Sequence, residues 1–133
     1  LWQSVLFARP RAAVELARGK PAAAVEALKA ASPHELGALA GHWIVYLRGQ
    51  AFLDLRQGPD AAREFQKVRD NRMVDPLSLL WPLSHLGLAR AHALAGDTAA
   101  SRHAYQDFFA LWKDADPDLP ILKEAQAEYG RLK

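Results

Sequence analysis

Asp114, Asp116 and Asp118 alternate as the first ligands of a calcium-binding loop do. Such a loop also needs a glycine at its sixth position to turn and a bidentate glutamate at its twelfth. Here Pro117 is fourth, Leu119 sixth, Glu124 eleventh and Ala125 twelfth. An acidic cap on the following helix, whose N-terminus favours negative charge, accounts for the three aspartates better. His85 and His92 share a helical face, and His103 falls on the helix that pairs with it. Two imidazoles on one face can meet a metal, but Ala89–His92 also aligns with Gly49–Phe52, setting His92 beside a large apolar residue, so a packed, hydrogen-bonded histidine is the expected role. Trp2, Trp43, Trp81 and Trp112 would suit base stacking, yet nucleic-acid platforms interleave aromatics with a basic stripe, and none is visible. Core or capping roles are expected for most of them, and no nucleic-acid partner. The chain has no glycine-rich phosphate loop, HRD, DFG, HExxH or Gly-x-Ser-x-Gly sequence. No catalytic residue, metal or cofactor is therefore expected.

The elements that carry these residues follow from composition and punctuation. In 133 residues there are 26 Ala and 20 Leu, while Val, Ile and Thr together number nine. Ala and Leu lose little on entering a helix and β-branched residues favour strands, so a single all-α domain is expected. A net charge of +2 is too small to imply a polyanionic partner, and the absence of Cys excludes disulfides and thiolate chemistry. Residues 1–72 hold eleven basic and seven acidic side chains, against six and eight in 73–133, an asymmetry that a solvated helical surface explains. The most apolar stretch, 77–94, contains Pro82, His85, Arg90 and His92, which makes it a buried helix rather than a membrane span. Leu1 is not an initiator Met and no signal-peptide pattern follows it, so the chain reads as a domain cut from a longer protein, or as trimmed, and its localisation is open.

Gly19-Lys20-Pro21, Gly58-Pro59-Asp60 and Gly96-Asp97 each divide two helix-like runs, glycine closing one helix and Pro or Asp opening the next. Ser32-Pro33-His34-Glu35 has the spacing of a capping box and predicts another start. Asn71–Pro76 and Asp114–Pro117 read as longer loops, and Ile121, Leu122, Ala125, Tyr129 and Leu132 have the spacing of a last helix. Seven helices result. Superposing the turns aligns Ala24, Ala61 and Ser101, all small, and four residues later Leu28, Phe65 and Tyr105, all large. A small residue lets helices approach and a large one fills the groove beside it. Gly37 and Gly41 are expected to break the second unit's first helix, and Pro82 to kink the third's or delay its start.

This pattern resembles the tetratricopeptide repeat, a helix–turn–helix unit of about 34 residues. Gly49, Phe52, Ala61 and Phe65 carry its packing positions in the second unit, and Ala89, His92, Ser101 and Tyr105 in the third. Ala12, Glu15, Ala24 and Leu28 match them weakly in the first. The resemblance implies a right-handed superhelical stack of three units, about 5–31, 38–70 and 77–113, closed by a capping helix over 118–132. Tyr46–Phe52, Ala62–Lys67, Leu94–Asp97 and above all Ala104–Asp118 further resemble the C-terminal repeat region of bacterial serine/threonine protein kinases, with similar segments trailing some winged-helix regulators. The family's groove positions fall on Arg9, Ala13, Trp43, Tyr46, Gln50, Leu86 and Arg90, along with Leu53, Asp54, Leu83, Ala93 and Leu94. The resemblance thus implies a non-catalytic scaffold whose concave groove takes a peptide or protein segment. Trp43, Tyr46 and Leu86 would bury it, and Arg9, Gln50 and Arg90 would fix its polar groups. Any of the apolar members could instead pack against a neighbouring helix. The basic clamp for chaperone C-termini is mostly missing, Leu47, Leu83 and Gly87 standing at its positions. Self-association of a multidomain parent is the alternative.

Overall fold

The computed structural model describes residues 2–38 and 40–132, the side chains of Trp2 and Ser4 excepted; Leu1, on which the reading of the chain's start rests, lies outside them. Seven α-helices follow one another: α1 (Trp2–Ala17), α2 (Pro21–Leu28), α3 (Trp43–Asp54), α4 (Gly58–Asp70), α5 (Leu80–Leu94), α6 (Thr98–Leu111) and α7 (Pro120–Gly130). Single 3-10 segments span Lys29–His34 and Arg72–Val74, and no strand occurs among the described residues. Each helix packs on the next through α6, and α3 also touches α1 and α5.

One turn recurs three times. The amides of Lys20, Gln57 and Asp97 donate to the carbonyls of Glu15, Phe52 and His92, and those of Gly19, Arg56 and Gly96 to Leu16, Leu53 and Ala93. This double bond pattern ends a helix with one left-handed residue. Gly19 (φ +72°) and Gly96 (φ +82°) take that conformation freely, whereas after α3 it falls on Arg56 (φ +61°). There it costs a residue with a side chain about 1 kcal/mol or more. The expectation that Gly58 closes α3 is thereby corrected. Gly58 is the first residue of α4, and a Cβ on it would lie 2.7 Å from the Ala91 carbonyl oxygen. It is small because α4 begins against the α5 backbone. Pro21 and Pro59 sit in first turns, and the Asp97 carboxylate accepts from the Ala100 amide at 3.0 Å.

The capping box at Ser32 does not form. The Ser32 hydroxyl donates to the Leu28 carbonyl inside a 3-10 segment, and α3 begins only at Trp43, beyond Gly37 and Gly41. Ser32 and Glu35 are drawn away by Arg48. Its guanidinium donates to Ser32 Oγ (2.9 Å), Glu35 Oε2 (2.5 Å) and Glu64 Oε2 (2.8 Å), while Lys67 reaches Glu35 and Glu64 at 3.2 and 3.4 Å. Burial works to raise the Glu35 carboxyl, but Arg48 and then Lys67 outweigh it and hold it below the usual range. Charge-assisted bonds of this kind are the strong ones, so the 29–35 segment is fastened to α3 and α4. Pro82 delays α5 rather than kinking it, lying in the first turn where its missing N–H is no loss.

Two apolar cores result. Ala12, Ala24, Leu28, Ile44, Leu47 and Ala51 belong to the first, and Ala61, Phe65, Leu86, Ala89, Tyr105 and Phe108 to the second. Phe65 is wholly buried between α3 and α5. A Cβ on Gly49 would stand 2.8 Å from its ring and one on Gly87 2.6 Å. Tyr46 meets the ring edge-on at 5.7 Å. Ser101 donates to the Ala89 carbonyl at 2.7 Å, so the small residues of the third unit also face each other. Phe52 and His92 are only half-buried, and His92 makes no side-chain hydrogen bond among the described residues, against the expectation of a hydrogen-bonded histidine.

Candidate binding cleft

The residues expected in one groove fall at three places. Arg9, Ala13 and Trp43 line a shallow depression of about 240 Å³ between α1 and α3, with Val5 and Leu47. The Arg9 guanidinium stacks over the Trp43 ring at 4.7 Å, which leaves the indole 38% exposed. Such a cation–π contact is worth about 0.5–1 kcal/mol at an exposed site. Gln50 and Arg90 line a larger cleft of about 550 Å³, where α3 and α5 face α7. Tyr46 is half-buried against Phe65, and burial pushes its phenol up. Leu86 is only 2% exposed and belongs to the second core, so its place on the groove surface is corrected.

The larger cleft is lined by apolar Leu53, Ala93, Leu94 and Leu132 and by polar Asp54, Arg56 and Arg131. Arg90, Tyr105 and Glu128 form a cluster in its wall. Arg90 donates from Nε and Nη2 to the two Glu128 oxygens at 3.0 and 2.9 Å, and the Tyr105 hydroxyl donates to Glu128 Oε2 at 2.7 Å. Burial tends to raise the Glu128 carboxyl, but the hydrogen bonds from Arg90 and Tyr105 prevail and hold it low. Burial, and then the carboxylate it faces, push the Tyr105 phenol far up. Burial opposes the Arg90 charge, yet Glu128 more than restores it. Arg90 is thus engaged within the chain, and it anchors α7 more than it offers a free donor. Leu122 and the fully buried Ala125, with Tyr129 edge-on to Phe109 at 5.6 Å, complete that attachment.

Arg56, Glu128 and Arg131 escaped the sequence reading. An inward arginine at residue 90 demands a counter-charge, but nothing in the sequence says which helix supplies it. The Arg48–Glu35–Glu64–Lys67 cluster was equally hidden, because its members come from three separate segments. It lies beside an apolar hollow of about 670 Å³ lined by Val5, Pro33, Glu35 and Leu36.

The residues weighed for metals go elsewhere. His85 is buried, its Nδ1–H donating to the Trp81 carbonyl at 3.0 Å, and burial holds its imidazole below the usual value. Trp81 donates to the Arg69 carbonyl and carries the Arg72 guanidinium over its ring. His103 is exposed, 3.7 Å from Asp107. Asp116 accepts from the Asp118 amide, Asp118 pairs with Lys123, and α7 starts without a side-chain cap. The aspartates therefore precede α7 without capping its amides. Among the described residues no three His, Cys, Asp or Glu side chains gather as metal ligands, and no helix is long and apolar enough to cross a membrane. Compared with family models, with curated proteins and with solved structures, the chain finds no match.

Proposed function

We propose that this chain is a non-catalytic interaction module that takes a peptide or protein segment in the cleft between α3, α5 and α7. The observation that carries this reading is the cleft itself. It is an open cleft of about 550 Å³ in which apolar Leu53, Leu94 and Leu132 stand beside hydrogen-bonding groups, and two expected groove residues, Gln50 and Arg90, line it. Three helix pairs joined by the same turn, together with the small–large columns, support a tetratricopeptide-like stack. On that reading α3 and α5 line the concave side and α7 is the cap. The Ala104–Asp118 run favours the C-terminal region of a bacterial serine/threonine kinase as the parent.

Ala93 offers a clean test. It is exposed on α5 and lines the cleft, so Ala93→Glu obstructs the cleft without entering either core. Peptides selected on the unaltered chain are expected to lose at least about tenfold in affinity, with thermal stability unchanged. Retained affinity removes the cleft from consideration.

Exposed apolar side chains on α1 support a second reading. Leu6, Phe7 and Val14 stay 51%, 68% and 46% exposed at helical spacing, which suits self-association of the parent. Sedimentation of the purified chain at high concentration distinguishes the two: self-association predicts dimers that Phe7→Ser plus Val14→Ser disperse, and a strict monomer ends this reading.

A further inference from the structure

We propose that the same cleft selects a peptide segment with a carboxylate side chain next to apolar ones, and that Arg56 and Arg131 hold the carboxylate. The proposal rests on the peptide-binding reading and specifies its ligand. Its starting point is the backbone. The three first helices end in the same hydrogen-bonded turn, and the left-handed position is glycine after α1 and α5 but arginine after α3. Glycine takes this conformation without penalty, so an arginine there is strained for no gain to the turn. The Arg56 side chain is exposed, forms no ion pair among the described residues, and lines the cleft. A strained residue lining a cavity is what a side chain retained for binding would look like.

Charge sets the ligand's sign. The cleft is lined by three guanidinium groups, those of Arg56, Arg90 and Arg131, and two carboxylates, Asp54 and Glu128. Arg90 is engaged by Glu128 through paired bonds and by Glu124 at 3.7 Å. Arg56 and Arg131 are left with Asp54, two guanidinium groups to one carboxylate, beside Leu53, Leu94 and Leu132. An acidic group flanked by leucine-like side chains complements that arrangement, because guanidinium forks suit carboxylates and the leucines take the flanks.

The test uses the whole chain with two capped pentapeptides, Gly-Leu-Glu-Leu-Gly and its Gln counterpart, followed by amide chemical shifts. The Glu peptide is expected to bind about fivefold or more tightly than the Gln peptide, shifting residues of the cleft. Arg56→Gly should abolish that preference while raising the melting temperature by about 2–4 °C, since the turn gains its best residue. Arg131→Gln should weaken the preference with no gain in stability, and Asp54→Asn should strengthen it. Equal binding of both peptides overturns the acidic selectivity and leaves the peptide cleft standing. No shift with either peptide overturns both readings. A stabilised Arg56→Gly chain that keeps the full preference overturns the assignment of Arg56.

Discussion

At the scale of single residues, the Phe65 ring is fixed on both sides by helix backbone. Gly49 and Gly87 are glycines because the ring occupies the space of their side chains. Placing alanine in a helix normally gains up to about 1 kcal/mol over glycine. At residue 87 the added methyl would lie 2.6 Å from a wholly buried ring, and overpacking of that kind costs about 1–3 kcal/mol. Gly87→Ala is therefore expected to lower stability in urea unfolding. Gly130→Ala, at the open end of α7 with nothing within 4 Å, should raise it slightly. Gly49 and Phe65 were both legible in the sequence as packing residues. Gly87 was not, because it stood where the resemblance places a basic residue and was read only as an absence.

At the scale of elements, helix ends written with local chemistry were readable, and those set by distant partners were not. Pro21, Pro59 and Asp97 open their helices as their types dictate. Ser32 and Glu35 have equally good local spacing, but Arg48 is sixteen residues from one and thirteen from the other, and it offers them charge-assisted bonds that a capping box cannot match. The last helix was legible from its apolar spacing, whereas its fastening was not. Glu128 holds α7 to Arg90 on α5 and Tyr105 on α6. Its carboxyl is depressed in the folded chain, so it contributes stability that is fully present above the unfolded value and lost as pH falls through the lower folded one. Acidification below about pH 4.5 should thus loosen α7, as it should the 29–35 segment that Glu35 fastens. Amide exchange in 120–130, followed against pH, is the measurement. Glu128→Gln should already show fast exchange there at neutral pH, with little further change in acid.

At the scale of the whole molecule, fold class and helix number followed from Ala and Leu abundance and from the recurring turns. Both signals are local, and both survive without knowledge of tertiary contacts. The candidate cleft is not local. Gln50 and Arg90 meet in one cleft, Arg9 and Trp43 in another depression, and Leu86 in the core. Which inward positions stay open depends on where α7 and the chain after α2 come to rest, and no spacing rule encodes that.

The placement of Phe65 also bears on how far the chain can be divided. The side chain that plugs the junction belongs to the second hairpin, and one of its two walls is α5 of the third. A fragment ending at Asn71 would retain the plug and lose that wall, baring an aromatic ring to water. Its hairpins are accordingly not exchangeable modules: the second and third are expected to melt together, whatever the first does.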